Sequence, residues 1–398
     1  MTVSSANWLI HNVNIVLENR VVTGSVVVQD GKIAQVISED DNEAAGAVTK
    51  ELPSIDGQGG WLLPGFIDVH VHGGFGADFM DASRESFDTI TKFHASQGTT
   101  GMLATTMTAA KDAIENVLQA VAKYRSEEMP YAALYGVHLE GPFISEKWPG
   151  AQNPIFIKDP QLEWMKQWHS EWPDLIRQLT LAPEKNGAIE TIAWLAEQGI
   201  NTACGHTDAV YDEVIAAANA GLSQAVHTFN AMRGLHHREP GTLGAVLTDD
   251  RIAAELIADG IHVHPAAIRL VLAAKPQDKV ILITDAMAAA GMPDGEYSLG
   301  GLAVIVKDGE ARLREGNALA GSCLTMIGAV RFILENSSLT IAEVSRLASG
   351  NAAKQLGISD RTGSIASGKQ ADLVWTDASL NVRQTWVQGR SVYEASQG

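Results

Sequence analysis

GFIDVHVHGGFGADFMD, residues 65–81, is the stretch on which the fold turns. Its first half, with Phe66, Ile67, Val69 and Val71, reads as a buried strand that ends on His70 and His72, just ahead of Gly73 and Gly74. Side chains alternate along a strand, so residues two apart face the same way. His70 and His72 therefore share one side, with Asp68 one step deeper. Imidazole is a poor filler for an apolar core and the commonest protein metal ligand near neutral pH, so the pair is placed to grip something. The two glycines let the chain turn away closely.

Outward from this strand, the middle of the chain alternates strand-like runs with helix-period segments. The first strand is expected over 61–72 and the others over 98–106, 132–141, 177–184, 200–206, 222–229, 251–263 and 279–286. Between them, AIENVLQAVAKYR spaces Ile114, Val117, Leu118 and Val121 along one helical face. Eight strands in alternation with helices predict an α/β fold, a (β/α)8 TIM barrel over residues 61–360. The two ends read differently. WLIHNVNIVL, RVVTGSVVVQD and GKIAQVIS near the start, and GSIASGKQADLVWTD and NVRQTWVQGRSV near the end, are short strands separated by Asn, Gly and Asp-Gly turns. Residues 1–60 plus 361–398 are expected to form one small β-sandwich domain that the barrel interrupts.

In a (β/α)8 barrel the reactive groups gather at the C-terminal strand ends. Here those places carry His70 and His72 (first strand), Glu140 (third), His206 (fifth), His227 (sixth), His262 (seventh) and Asp285 (eighth). One buried histidine is usually a core residue with a satisfied hydrogen bond, and His11, His94 and His169 are read that way. His138, on the face of Glu140, is read as supporting it. His70, His72, His206 and His227 with Glu140 and Asp285, on five converging strand ends, are a site. Cys204 stands two residues before His206, but a thiolate would add charge to a carboxylate-rich centre, so a core role is expected. GQGG and GHTD are turns, and no GxSxG, P-loop or HExxH occurs.

Composition bounds the partners. The formal net charge of −18 argues against nucleic acid. Two cysteines form no disulfide framework and match a reducing, cytoplasmic setting. The first twenty residues lack a signal-peptide pattern, and no run of about 18 apolar residues is present to span a membrane. Against the negative balance, AMRGLHHREPG (231–241) packs Arg233, His236, His237 and Arg238 directly after the strand of His227. This local reversal of sign reads as an anion clamp, best matched to a phosphate.

PGFIDVHVHG, HLEGPF, LAPE, GHTDA, VHTFNAM, HHREPG, IADGIHVHP and LITDAM together resemble the N-acetylhexosamine-6-phosphate deacetylases of the amidohydrolase superfamily. The resemblance runs from about residue 60 to the C-terminus. It implies that Glu140, His206 and His227 are metal ligands, with the glutamate bridging when two metals are bound. Since this chain keeps His70 and His72, two divalent ions per chain are expected, zinc or iron, with Asp285 beside them as catalytic base. It also implies that Asn230, Ala231, His237 and Arg238 meet substrate and phosphate, the arginine reaching in from the other subunit of a homodimer. His262 and Leu319, Ala320 and Gly321 would line the sugar pocket of a small amino-sugar phosphate. Where many relatives read GAH after LEGP, this chain reads Gly150, Ala151, Gln152, so a neutral amide replaces an imidazole at a substrate position. The runs DGIHVHPAAIR and TDAMAAAGMPDGEYSLGG lie closest to the galactosamine branch. The competing readings are a dihydroorotase- or dipeptidase-like hydrolase bridged through a carboxylated Lys185, and a non-catalytic sugar-phosphate binding protein.

Overall fold

The computed structural model describes residues 7–39 and 52–396. Residues 1–6, 40–51 and 397–398, parts of the predicted small domain, lie outside the described residues. Eight parallel strands form one sheet in chain order: β1 (Phe66–Val71), β2 (Thr99–Thr106), β3 (Ala133–Glu140), β4 (Ile176–Leu181), β5 (Asn201–Cys204), β6 (Gln224–Ala225), β7 (Ala253–Ile257) and β8 (Val280–Ile283). Polar contacts draw β8 back onto β1. The Asp285 N–H donates to the His70 carbonyl at 2.8 Å, the His72 N–H to that of Ala286 at 2.8 Å, and the Thr284 hydroxyl to Asp68 at 2.5 Å. The result is a nearly closed (β/α)8 barrel, as the alternation predicts.

The helices between the strands follow the expected pattern. Lys111–Arg125 buries Ile114, Val117, Leu118 and Val121, and ends on Lys123 and Arg125, whose charges favour a helix C-terminus. Ser83 caps Arg84–Ser96 by accepting from the Ser86 N–H.

The predicted strand 61–72 divides at Gly65. Trp61–Pro64 pairs with Leu373–Thr376 and with Asn14 and Ile15 in a second sheet, whereas Phe66 onward enters the barrel. A β-carbon at Gly65 would lie 2.2 Å from the Thr100 side chain, so the chain crosses between the sheets only where the side chain is missing. The second sheet joins both chain ends and curls until Trp8 stacks on Trp386 at 4.7 Å.

The last three ligand-bearing strands are shorter than predicted. His206, His227 and Asp285 each stand two residues past a strand end, with left-handed φ of 48°, 31° and 51°. Left-handed backbone breaks the ladder and turns these side chains over the barrel mouth. One feature was not read from the sequence: Gly295–Leu299, Leu302–Lys307 and Glu310–Leu313 form an antiparallel three-stranded sheet inside the barrel segment. Its Leu299-Gly300-Gly301-Leu302 turn is a hairpin signal.

Candidate active site

Two groups of side chains share one carboxylate. His70, His72 and Glu140 form the first, and Glu140, His206 and His227 the second, with the ligand atoms of each within 4.8 Å of one another. Glu140 Oε1 lies 3.2 Å from Nε2 of His70, 3.2 Å from that of His206 and 3.1 Å from that of His227. Its Oε2 lies 3.2 Å from Nε2 of His72. Asp285 Oδ1 stands 3.2 Å from Nε2 of His72 and 3.5 Å from that of His70.

Three of the four imidazoles are fixed from behind. His206 Nδ1 meets the Trp148 carbonyl at 2.9 Å, and His227 Nδ1 the Asn230 carbonyl at 3.1 Å. A carbonyl only accepts, so each Nδ1 carries a proton, which leaves Nε2 of each ring facing inward as the atom free to ligate. His70 Nδ1 meets Glu255 Oε2 at 2.8 Å, the carboxylate–histidine arrangement that orients metal-binding imidazoles. His70 Nε2 is buried with no hydrogen-bond partner, and so is Nδ1 of His72, which has no such brace.

These residues fit a divalent cation. Imidazole nitrogens and carboxylate oxygens converge here at 3.1–3.2 Å, a donor set that draws positive charge among it. The proton affinities point the same way. Burial opposes charge on His70, but Glu140, Asp285 and Glu255 outweigh it and push its pKa well above the imidazole range. Burial likewise raises Glu140, yet His70, His206 and His227 overcome it and hold the carboxyl well below its usual value. Burial would raise Asp285 too, but His70 and His72 bring it down to about 2, so it is ionised at neutral pH.

The site opens into a cavity of about 440 Å³, sized for a small molecule. Ala151, Gln152, Asn230, Ala231, His262, Leu319 and Gly321 line it. His262 is turned by Asp259, whose Oδ2 lies 2.7 Å from Nδ1. Ala320 is instead buried behind the wall, its N–H donating to Ala311. His237 and Arg238 do not line this cavity; they pair with each other at 2.8 Å on an exposed loop. Arg233 is bound to Asp208 at 2.8 Å, a carboxylate it shares with Lys147.

Several residues at the site escaped the sequence reading. Glu255 accepts from the amides of Gln178, at 2.8 Å, and Gln224, forming a buried polar layer under His70. A Gln or Glu inside each of the predicted strands 177–184, 222–229 and 251–263 was the available signal. Lys147 and Arg312 also line the cavity, and both are engaged by carboxylates, Asp208 and Glu310.

The chain matches the amidohydrolase family over residues 61–392. It belongs to that family. This amidohydrolase is a metal-dependent hydrolase, and it is 42% identical over 389 residues to the N-acetylglucosamine-6-phosphate deacetylase of Bacillus subtilis, covering 97% of each chain. It is 41% identical over 329 residues to the N-acetylgalactosamine-6-phosphate deacetylase of Escherichia coli O157:H7, covering 83% of this chain and 87% of the other. The crystal structure of the Pasteurella multocida N-acetylglucosamine-6-phosphate deacetylase superposes with a TM-score of 0.90 at 31% identity, over 97% of this chain and 99% of that one. Within the amidohydrolase fold, Lys185 pairs with Glu146 at 2.8 Å and Asp159 at 3.1 Å, loop carboxylates outside the two histidine groups. Cys204 is a core residue, its thiol pushed up to about 12 by burial.

Proposed function

We propose that the chain removes the N-acetyl group from N-acetylhexosamine 6-phosphates, releasing acetate and the hexosamine 6-phosphate. The carrying observation is one carboxylate, Glu140, shared by two histidine pairs with ionised Asp285 beside them, at the floor of a sugar-sized cavity. Relatives acting on both epimers, at 42% and 41% identity, support the substrate class. The galactosamine epimer is the faster substrate, a reading supported by the runs 259–269 and 284–301, which resemble that branch.

In this reading His70, His72, Glu140, His206, His227 and Asp285 hold two divalent ions, zinc or iron. Bound there, such ions supply Lewis acidity to the amide carbonyl and bring the acidity of water near neutrality. Asp285 takes the proton from the attacking water and hands it to the departing amine, base and acid in turn. His262, with Nδ1 held by Asp259, offers Nε2 to the carbonyl oxygen or a sugar hydroxyl. Asn230, Ala231 and the Leu319–Gly321 segment hold the sugar in place, which adds orientation to the reaction.

On the cavity wall Arg312 faces Glu310, and Lys147 shares Asp208 with Arg233, so the phosphate gains from one more cation. Arg238 of a second copy, with its His237, fills that place in a homodimer.

The test is acetate release from the two N-acetylhexosamine 6-phosphates side by side, with the unphosphorylated sugars as controls. Turnover of both phosphates, the galactosamine epimer ahead and the free sugars far behind, is expected. Equal rates on phosphorylated and free sugars would overturn the phosphate assignment, and absence of acetate would overturn the function.

A further inference from the structure

Gln152 lines the cavity, yet its side-chain amide is fixed at both ends by the protein. The Thr108 backbone N–H lies 2.7 Å from Oε1. A backbone N–H only donates, so the atom facing it is the carbonyl oxygen, and the amide orientation is determined. Nε2 is thereby turned to Glu140 Oε2 at 2.5 Å. The backbone is held as well. The Gln152 N–H donates to Pro149 at 2.8 Å, and a β-carbon on Gly150 would come within 3.1 Å of the His206 ring. The loop that supplies Gln152 also supplies the Trp148 carbonyl that orients His206.

The two oxygens of Glu140 are held unequally. Oε1 faces three imidazoles, those of His70, His206 and His227, whereas Oε2 faces His72 and the Gln152 amide. The last torsion of a glutamate is broad and roughly two-fold, so a donor on one oxygen sets the rotation of the whole carboxylate. His72 cannot supply that brace, since its own Nδ1 has no partner.

We propose that Gln152 is a positioning residue for Glu140, holding Oε2 toward His72 and so governing uptake of the divalent ion on the His70–His72 side. This rests on the reading that Glu140 bridges two ions. It differs from a substrate contact: the amide is committed to the protein on both sides, and it stays neutral at every working pH, unlike an imidazole in its place.

The experiment is a zinc titration of the full-length metal-stripped chain against a chromophoric chelator, for wild type and Gln152→Leu, with the Michaelis constant measured on the loaded enzymes. Wild type is expected to take up two ions per chain. In Gln152→Leu the weaker ion should bind about 10–100-fold less tightly, as loss of a hydrogen bond behind a ligand does elsewhere, while the tighter one is unchanged. A packing defect would weaken both ions together, so loss confined to one marks positioning. Gln152→Met, which keeps the length without the donor, gives the same reading should the leucine variant fail to fold. Two ions bound with wild-type affinity in the variant, with only the Michaelis constant raised, would overturn this role and leave the proposed function standing. A wild-type chain that binds no ion would overturn both.

Discussion

Nε2 of His206 and Nε2 of His227 face each other at 3.2 Å, and each ring is committed at Nδ1 to a carbonyl oxygen. Both inward atoms converge with Glu140 Oε1 on one point. Such an arrangement gains stability from a cation. Stripping metal with a chelator should lower the melting temperature, and zinc should restore it; at a free concentration 100 times Kd the gain is about 2.7 kcal/mol. His227→Asn should lose most of that response. Identical melting curves with and without zinc would remove the cation from this place.

Glu140 and Lys185 are the two candidates for a bridging ligand, and the structure separates them. Glu140 lies among four imidazoles, while Lys185 is tied to Glu146 and Asp159. Glu140→Ala should abolish uptake of both ions, and Lys185→Ala should keep metal content and activity near wild type. Metal analysis of the two variants decides it, and metal loss in the lysine variant alone would reverse the assignment.

Asp285→Asn should retain fold and metal but lose most turnover, by a factor of about 10²–10⁴, because the amide cannot accept the proton that the carboxylate takes. Steady-state rates at matched metal content read this directly. Near-wild-type activity would exclude the aspartate from the proton transfers.

Glu255 bears on metal binding from behind. Its carboxylate holds His70 Nδ1 and accepts from Gln178 and Gln224, so every neighbour is a donor. Glu255→Gln turns an NH2 group toward one of those donors. Metal affinity should fall about 10–100-fold, and stability should drop by about 1–3 kcal/mol for the buried group left unpaired. Chelator competition and urea unfolding measure the two effects; unchanged values in both would make this layer mere packing.

His94, packed behind the turn that follows His72, sets an acid limit on stability. It is buried beside the Gly73 carbonyl at 3.0 Å, and burial outweighs that bond to lower its pKa to about 4. The folded value lies below the unfolded one, so the unfolded chain takes up the proton first as the pH falls. Stability is unaffected above about pH 6.5 and is lost between about 6.5 and 4, by on the order of 3 kcal/mol at the lower end. His94→Gln should flatten that limb of a melting-temperature profile. Equal slopes for the two proteins would refute the titration.

What could be read in the sequence was local in origin. The two-residue spacing of His70 and His72 assigns them one side of a strand whatever the rest of the chain does. The helical spacing of Ile114, Val117, Leu118 and Val121 is local in the same sense, and all four are buried. The hairpins at 295–313 were legible too, in the Gly-Gly turn, but lay in a region already assigned to the barrel.

Eight strands alternating with helices, and polar residues at the ends of those strands, follow from the sequence alone, because side-chain periodicity is a property of the covalent chain. Tertiary structure alone decided which of those ends meet. Left-handed backbone at His206, His227 and Asp285 turns them over one carboxylate, Glu255 reaches His70 across 185 positions, and Gln152, on the cavity wall, turns its amide to Glu140. It also kept Arg238 off its own chain's cavity wall. Which buried donor faces which acceptor depends on strand register and loop packing, and these are settled only when the barrel closes.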